Sequence, residues 1–255
     1  MATRDDYIAV FDSGVGGISV LRQLVRTMPR ERYFYFGDSA NAPYGPRPVD
    51  EIRDLTLAAA EKLMDRGVKA LVVACNTATA AAIVALREKY PDTIVIGIEP
   101  ALKLAADHFP GGSIGVMATQ ATLRQEKFDA LLHRFEDVCE VTELPAPGLV
   151  ELVEAGKGNS AEAEALLRPI LEPHAHLLDA VVLGCTHYPF ARDVIGKILG
   201  PEVALLEGGP GTARETFRRL AEAELLRDGP GEVVIENSLS GSGMCELCRK
   251  LLYES

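Results

Sequence analysis

A chain of 255 residues makes one large domain or two modest ones, and 47% hydrophobic with 25% charged residues supplies a core, which excludes disordered and fibrous architectures. The 26 basic residues against 37 acidic ones give a net charge of -11, the wrong sign for a non-specific nucleic-acid binder. Five cysteines, at 75, 139, 185, 245 and 248, form an odd and scattered set, unlike a secreted disulfide scaffold, and read as reduced thiols in a cytosol.

Along the chain, Met1 to Asp6 is polar and charged, and the apolar run after it is too short for the core of a signal peptide. No stretch reaches the roughly 18 uninterrupted apolar residues of a membrane span, so a cytoplasmic protein without membrane contact is expected. Strands are predicted over Tyr7 to Phe11, Tyr33 to Phe36, Ala70 to Ala74, Ile94 to Ile98, Ser113 to Met117, Val138 to Leu144, Ala180 to Leu183 and Val203 to Leu206. Helical patterns separate them. Apolar runs without alternation belong to strands covered on both faces, and strands interleaved with helices imply parallel sheets, so the fold class is α/β.

The strand ends repeat. Ile8-Ala-Val-Phe-Asp-Ser13 is similar to Ile114-Gly-Val-Met-Ala-Thr119, and Val72-Val-Ala-Cys75-Asn-Thr77 to Val182-Val-Leu-Gly-Cys185-Thr-His187. The step from Asp12 to Cys75 is 63 residues and from Ala118 to Cys185 is 67, while Asp12 to Asp38 and Ala118 to Leu144 are both 26. Two pseudo-symmetric, doubly wound lobes with mainly parallel sheets are implied, one of residues 1–98 plus 211–255 and the other of 99–210, with a site expected in the cleft between them. In open parallel sheets ligands bind beyond the carboxyl ends of the strands, where Asp12, Asp38, Cys75 and Cys185 all stand.

Moving a proton off one face of a carbon and returning it to the other requires two acid/base groups, one protonated and one not. A thiol serves in either state when its surroundings are tuned. Two matched thiols supply both roles, although free cysteines are also among the most buried residues and either could be core. Asp12 could cap a helix or face a thiol or a substrate ammonium, and His187 could be a satisfied core histidine or a site group. Helix starts after Ser13, Asn76 and Thr186 would present N–H groups to carboxylates.

Asp12-Ser-Gly-Val-Gly-Gly17, Pro43-Tyr-Gly45, Ala74-Cys-Asn-Thr77 and Gly184-Cys-Thr-His-Tyr-Pro189 resemble, in order and spacing over nearly the whole chain, the motifs of the glutamate racemases, within the cofactor-independent aspartate/glutamate racemase family. His187 after Cys185-Thr186 resembles that branch more than the aspartate racemases, which usually carry Glu there. The resemblance implies an isomerase that interconverts L- and D-glutamate and supplies D-glutamate for peptidoglycan. Cys75 would take the α-proton from D-glutamate and Cys185 from L-glutamate. Asp12 and His187 would assist the thiols, and Glu154 would match a further acidic residue, though on Glu151-Leu-Val-Glu154 a solvated helix face is the other reading. Substrate would be held by Asp12, Ser13, Tyr44, Gly45, Asn76, Thr77, Thr119, Thr186 and His187. No cofactor or metal is implied. Pyridoxal chemistry would need a lysine at the site, and the eight lysines fall away from the four motifs. A homodimer is a common state for such a chain.

Other signals rank lower. Gly14-Val-Gly16-Gly17 lacks the third glycine of a dinucleotide fingerprint, Ser19 standing in its place. Cys245-Glu-Leu-Cys248 has metal-like spacing but no second ligand pair, and reads as an ordinary helix carrying two thiols. Arg214 to Arg227 reads as a solvated charged helix. Glu207-Gly-Gly-Pro210, expected to lead from the second lobe back to the first, and Glu236-Asn-Ser-Leu-Ser-Gly-Ser-Gly243 both depart from the family pattern. The rival readings are a racemase of aspartate or another small acidic amino acid, and a non-catalytic dicarboxylate-binding protein.

Overall fold

The computed structural model describes residues 2–99, 101–123, 132–135, 137–239, 241 and 243–254. The chain divides into two compact units, Met1–Glu99 with Gly209–Ser255, and Pro100–Gly208. Among the described residues no helix is long and apolar enough to cross a membrane.

The first unit is built on a parallel sheet of five strands, β1 (Tyr7–Asp12), β2 (Arg32–Gly37), β3 (Val68–Val73), β4 (Ile94–Gly97) and β9 (Glu232–Asn237), in the order β4-β3-β1-β2-β9. Helices α1 (Ile18–Thr27), α2 (Val49–Met64), α3 (Asn76–Lys89), α9 (Gly209–Glu222) and α10 (Met244–Tyr253) cover it. Successive side chains of a strand point to opposite faces. Ala9, Phe11, Phe34, Leu71 and Val73 therefore pack with Ile52, Ala59, Ala78 and Ala82 of α2 and α3. On β2, by contrast, the buried Tyr33 donates its hydroxyl to the Leu24 and Met28 carbonyls at the end of α1 (both 2.8 Å). Burying each such large apolar side chain contributes about 1.5–3 kcal/mol, and two covered faces explain why these strands read as continuous apolar runs.

The second unit repeats this plan. Strands β5 (Ser113–Met117), β6 (Glu140–Glu143), β7 (Ala180–Leu183) and β8 (Ala204–Glu207) are parallel in the order β6-β5-β7-β8. The order β8-β7-β5-β6 reproduces β4-β3-β1-β2, and β9 is the addition in the first unit. Met117, Val181 and Leu183 pack with α6 (Leu149–Glu154), α7 (Ala161–Leu171) and α8 (Arg192–Leu199). Ile114, Val116, Ala180 and Val182 pack beneath α4 (Leu102–His108), with Leu123 of α5 (Gln120–Leu123) in the same cluster. The sheet is thus doubly wound. The equal 26-residue spacings conceal a difference, because the Asp38 N–H bonds to Asp12 O whereas the Leu144 N–H bonds to Val116 O, two residues short of Ala118.

Three expectations change. Glu232–Asn237 was not among the predicted strands, its last two residues alone falling in the segment read as a departure from the family pattern; it is the fifth strand, its signal confined to Val233-Val-Ile235 and beside a β2 already paired on its other side. Helix α9 ends at Glu222, so Arg227, the end of the predicted charged helix, lies beyond it and, half-buried, donates its backbone N–H to Glu31 Oε1 (2.9 Å) and its Nε–H to Asp5 Oδ1 (2.8 Å). Lys69 lies inside β3, not before it, with a fully buried side chain. Its Nζ donates to Glu31 Oε2 (2.6 Å), Arg4 O (2.7 Å) and Leu225 O (3.0 Å). Burial lowers the Lys69 pKa, and the Glu31 carboxylate opposes that shift. This ion pair ties the N-terminal segment, the β2 entry and the loop after α9 to the amino end of the sheet.

Candidate active site

In the first unit the carboxyl ends of β1, β2 and β3 bring the predicted residues together. The buried Asp12 accepts the Gly14 N–H at Oδ1 (2.9 Å), which closes a tight turn. It is not the cap of α1; that position belongs to Gly17. A Cβ on Gly17 would fall 2.5 Å from Asp12 Cβ and 3.1 Å from Ala74 Cβ, so the turn can lie against the strand end only because residue 17 is glycine. Ser13 Oγ is 3.4 Å from Cys75 Sγ. Cys75 is itself the N-cap of α3, its sulfur accepting the Ala78 N–H at 3.5 Å, a contact that strengthens when sulfur carries negative charge. Asn76 and Thr77 open the helix, and Asn76 Oδ1 is buried with no hydrogen-bond partner among the described residues.

Tyr44 reaches the same strand ends through Asp38. Its buried hydroxyl donates to Asp38 Oδ2 (2.8 Å), and Asn41 Nδ2 holds both oxygens of that carboxylate (3.1 and 2.9 Å). Gly45 follows, half-buried. The turn carrying Asp38 is clamped from β9, where Asn237 Nδ2 donates to Ser39 Oγ (2.8 Å) and Ser238 Oγ accepts the Ala40 N–H (2.8 Å). The structural roles of Asp38, Asn237 and Ser238 were not assigned from sequence: the strand-end position of Asp38 was the one available signal, and nothing local marks the other two.

Burial, and then the Asp38 carboxylate, push the Tyr44 phenol well above its ordinary value of 10.0, with Cys75 and Asp12 adding smaller repulsions. Burial also raises Tyr33. A group whose pKa is raised on folding stays protonated after its unfolded counterpart has ionised, so its contribution is intact below about pH 10 and is lost as pH rises above it. The expected result is a fall in urea stability between about pH 9 and about pH 11, with a Tyr44→Phe variant losing less over that interval by about 1 kcal/mol per pH unit. Equal pH slopes for the two proteins would remove Tyr44 as a source.

In the second unit Cys185 follows β7 as Cys75 follows β3. The Gly184 N–H bonds to Met117 O and the Ala74 N–H to Phe11 O, each at 2.7 Å, so both cysteines stand one residue beyond the same hydrogen bond to the central strand. Cys185 Sγ is 3.7 Å from His187 Nδ1, and His187 Nε2 is 3.2 Å from Glu154 Oε1 at the end of α6. With its Nε2 proton held on Glu154, the imidazole presents Nδ1 to the sulfur, and a protonated ring there stabilises a thiolate. Glu154 thus faces the buried His187 with its side chain 23% exposed, which removes the solvated-face reading. Thr186 is buried beside them, while Thr119 at the end of β5 spends its hydroxyl on its own turn, 2.9 Å from Thr122 Oγ1.

The chain leaves the two strand ends by different routes. Of the three helix starts expected to offer N–H groups, the one at Asn76 alone enters an α-helix at once. Ser13 leads into the Gly14 to Gly17 turn before α1, and His187 leads into a 3-10 turn, Tyr188–Ala191, whose Pro189 lacks an N–H. Glycine at 184 is required, because an added Cβ would lie 2.9 Å from Met117 O and 3.4 Å from Ala118 Cβ. Gly184→Ala is expected to destabilise by about 1–3 kcal/mol and to displace Cys185. Thermal unfolding together with turnover checks this; unchanged values for both would show that the backbone yields freely.

The family model for Asp/Glu/hydantoin racemases matches residues 8–234. The chain is 48% identical over 248 residues to a glutamate racemase of Clostridium perfringens, covering 96% of this chain and 95% of that one. Among solved structures, a glutamate racemase isoform from Bacillus anthracis matches with a TM-score of 0.87 and 33% identity over 98% of this chain and 94% of that one. The Escherichia coli glutamate racemase, solved with L-glutamate and the activator UDP-MurNAc-ala, matches with a TM-score of 0.85 and 30% identity over 96% of this chain and 95% of that one.

Proposed function

The chain belongs to the Asp/Glu/hydantoin racemase family, and on that premise we propose that it interconverts L- and D-glutamate, supplying D-glutamate for peptidoglycan, by proton transfer at the α-carbon between two thiols. The observation that carries the mechanism is the matched backbone position of Cys75 and Cys185. The Cys75 thiolate removes the α-proton of D-glutamate and the Cys185 thiol delivers its own proton to the opposite face; the roles reverse for L-glutamate. The proton lost to one thiol is replaced by the proton given from the other, so the amino acid is unchanged in composition. Ser13 and the Ala78 N–H serve Cys75, and the His187–Glu154 pair serves Cys185.

Asp12, Ser13, Tyr44, Gly45, Asn76, Thr77, Thr186 and His187 hold the substrate in this reading, and Thr119 joins them by exchanging its contact with Thr122. Asn76 Oδ1, buried and without a partner among the described residues, suits an ammonium, and the N–H groups opening α3 suit a carboxylate. A protein of net charge -11 recognises a dianionic side of its substrate through such local donors, not through its overall field.

The test incubates purified protein with each enantiomer in heavy water without added cofactor. Inverted product carrying solvent deuterium at the α-carbon is expected, and retention of chirality for both enantiomers would leave a dicarboxylate-binding protein. Aspartate as a competing substrate separates the remaining racemase reading. Glu154→Gln is expected to lower kcat by about tenfold, short of the 10²–10⁴-fold of a direct acid or base, and to shift the pH profile of L-glutamate turnover. An unchanged profile would mean that Glu154 does not act through His187.

A further inference from the structure

We propose that Cys245 and Cys248, at the start of α10, form a redox-active dithiol that closes to a disulfide by exchange with a disulfide oxidant, separately from the strand-end thiols. Cys245 is the second residue of the helix and Cys248 the fifth. Residues three apart lie on one helical face with Cβ atoms about 5–6 Å apart. A disulfide accepts such a Cα separation but needs Cβ atoms at about 3.5–4.5 Å. The gap closes if the first turn tightens toward 3-10 geometry, in which side chains three apart eclipse.

Tightening exchanges the α-type bond from the Leu247 N–H to Gly243 O (2.9 Å) for the shorter 3-10 pattern. The N-cap, Gly243 at φ 78°, and Gly241 two positions earlier at φ 75° are glycines in the left-handed region. The two thiols are unequal in access: Cys245 is partly exposed, whereas Cys248 is fully buried on the face that α10 sets against α1 and β9. That division suits an entry thiol and a resolving thiol. A metal reading lacks ligands, since among the described residues no three His, Cys, Asp or Glu side chains converge.

The exchange runs in two steps. The Cys245 thiolate attacks one sulfur of an external disulfide, whose S–S bond breaks and releases one thiol, leaving a mixed disulfide on Cys245. Cys248 then attacks the Cys245 sulfur and releases the second thiol. Two electrons pass from the cysteine pair to the oxidant, and the two thiol protons leave on the released thiols. Because the closed form strains the turn, an external dithiol reduces it readily.

The test equilibrates the full chain with glutathione disulfide, alkylates the remaining thiols and maps the peptides by mass. The wild-type peptide bearing both cysteines is expected to lose two hydrogens and take no alkyl group. Cys248→Ser is expected to accumulate a glutathione adduct on Cys245, and Cys245→Ser to give about tenfold less adduct on Cys248. Full alkylation of both thiols in the treated wild-type protein overturns the proposal without recourse to either variant. Equal adduct on the two variants overturns the division of roles. Racemase activity is not the readout, so the outcome does not depend on the reaction assigned above.

Discussion

Cys75→Ala is expected to lower kcat/KM by at least about 10³-fold for both enantiomers, because each direction uses both thiols. Cys185→Ala is expected to do the same, and the two variants separate in heavy water. Without Cys75, the remaining Cys185 can still remove and return a proton on the L face, so L-glutamate exchanges its α-hydrogen without inverting while D-glutamate exchanges none. Without Cys185 the pattern is mirrored. The unequal supports of the two sulfurs, a Ser13 hydroxyl and a helix N–H against the His187–Glu154 pair, predict different pH dependences for the two exchange reactions. Exchange of the same enantiomer by both variants, or racemisation surviving in either, would sink the two-thiol assignment.

Lys69→Met carries the largest expected effect on stability. Methionine keeps most of the volume but leaves the Glu31 carboxylate buried without its cation, which costs about 3–5 kcal/mol. Urea unfolding should show a lower midpoint at an unchanged slope. The double variant Lys69→Met/Glu31→Leu removes the stranded charge and should recover part of the loss. Recovery stops short because the Arg227 N–H, which Glu31 Oε1 now accepts, loses its partner at about 1–3 kcal/mol. A single variant that loses less than about 1 kcal/mol would place the Lys69–Glu31 pair among solvated surface pairs.

The α/β class and the positions of eight strands were legible because two covered faces leave continuous apolar runs, and because glycine and short polar residues punctuate them. Cys75 and Cys185 were legible through the repeat, since a shared topology puts equivalent residues on equivalent hydrogen bonds. The register offset at β6 was not, because equal spacing counts residues and says nothing about which carbonyl the last N–H finds. Strand β9 was hidden for a related reason. Its partners on β2 lie 200 residues upstream, Arg32 opposite Glu232, and its own apolar signal is three residues long, so tertiary pairing decides it. The clamp of Asn237 on Ser39 inherits that invisibility, as does Lys69, whose charge inside an apolar strand is explained by Glu31, on a loop 38 residues earlier in sequence.

The late arrival of β9 has a consequence during synthesis. Strands β1 to β4 leave the ribosome well before Glu232–Asn237, and at about 5–20 residues per second the interval is on the order of ten seconds. Throughout it, the outer edge of β2 presents unpaired backbone groups between apolar side chains, the arrangement that recruits strands from other chains. The nascent protein therefore passes through a window in which the residues of its second unit are made while its first still lacks an edge, and the speed of translation between Gly97 and Glu232 sets how long that window stays open.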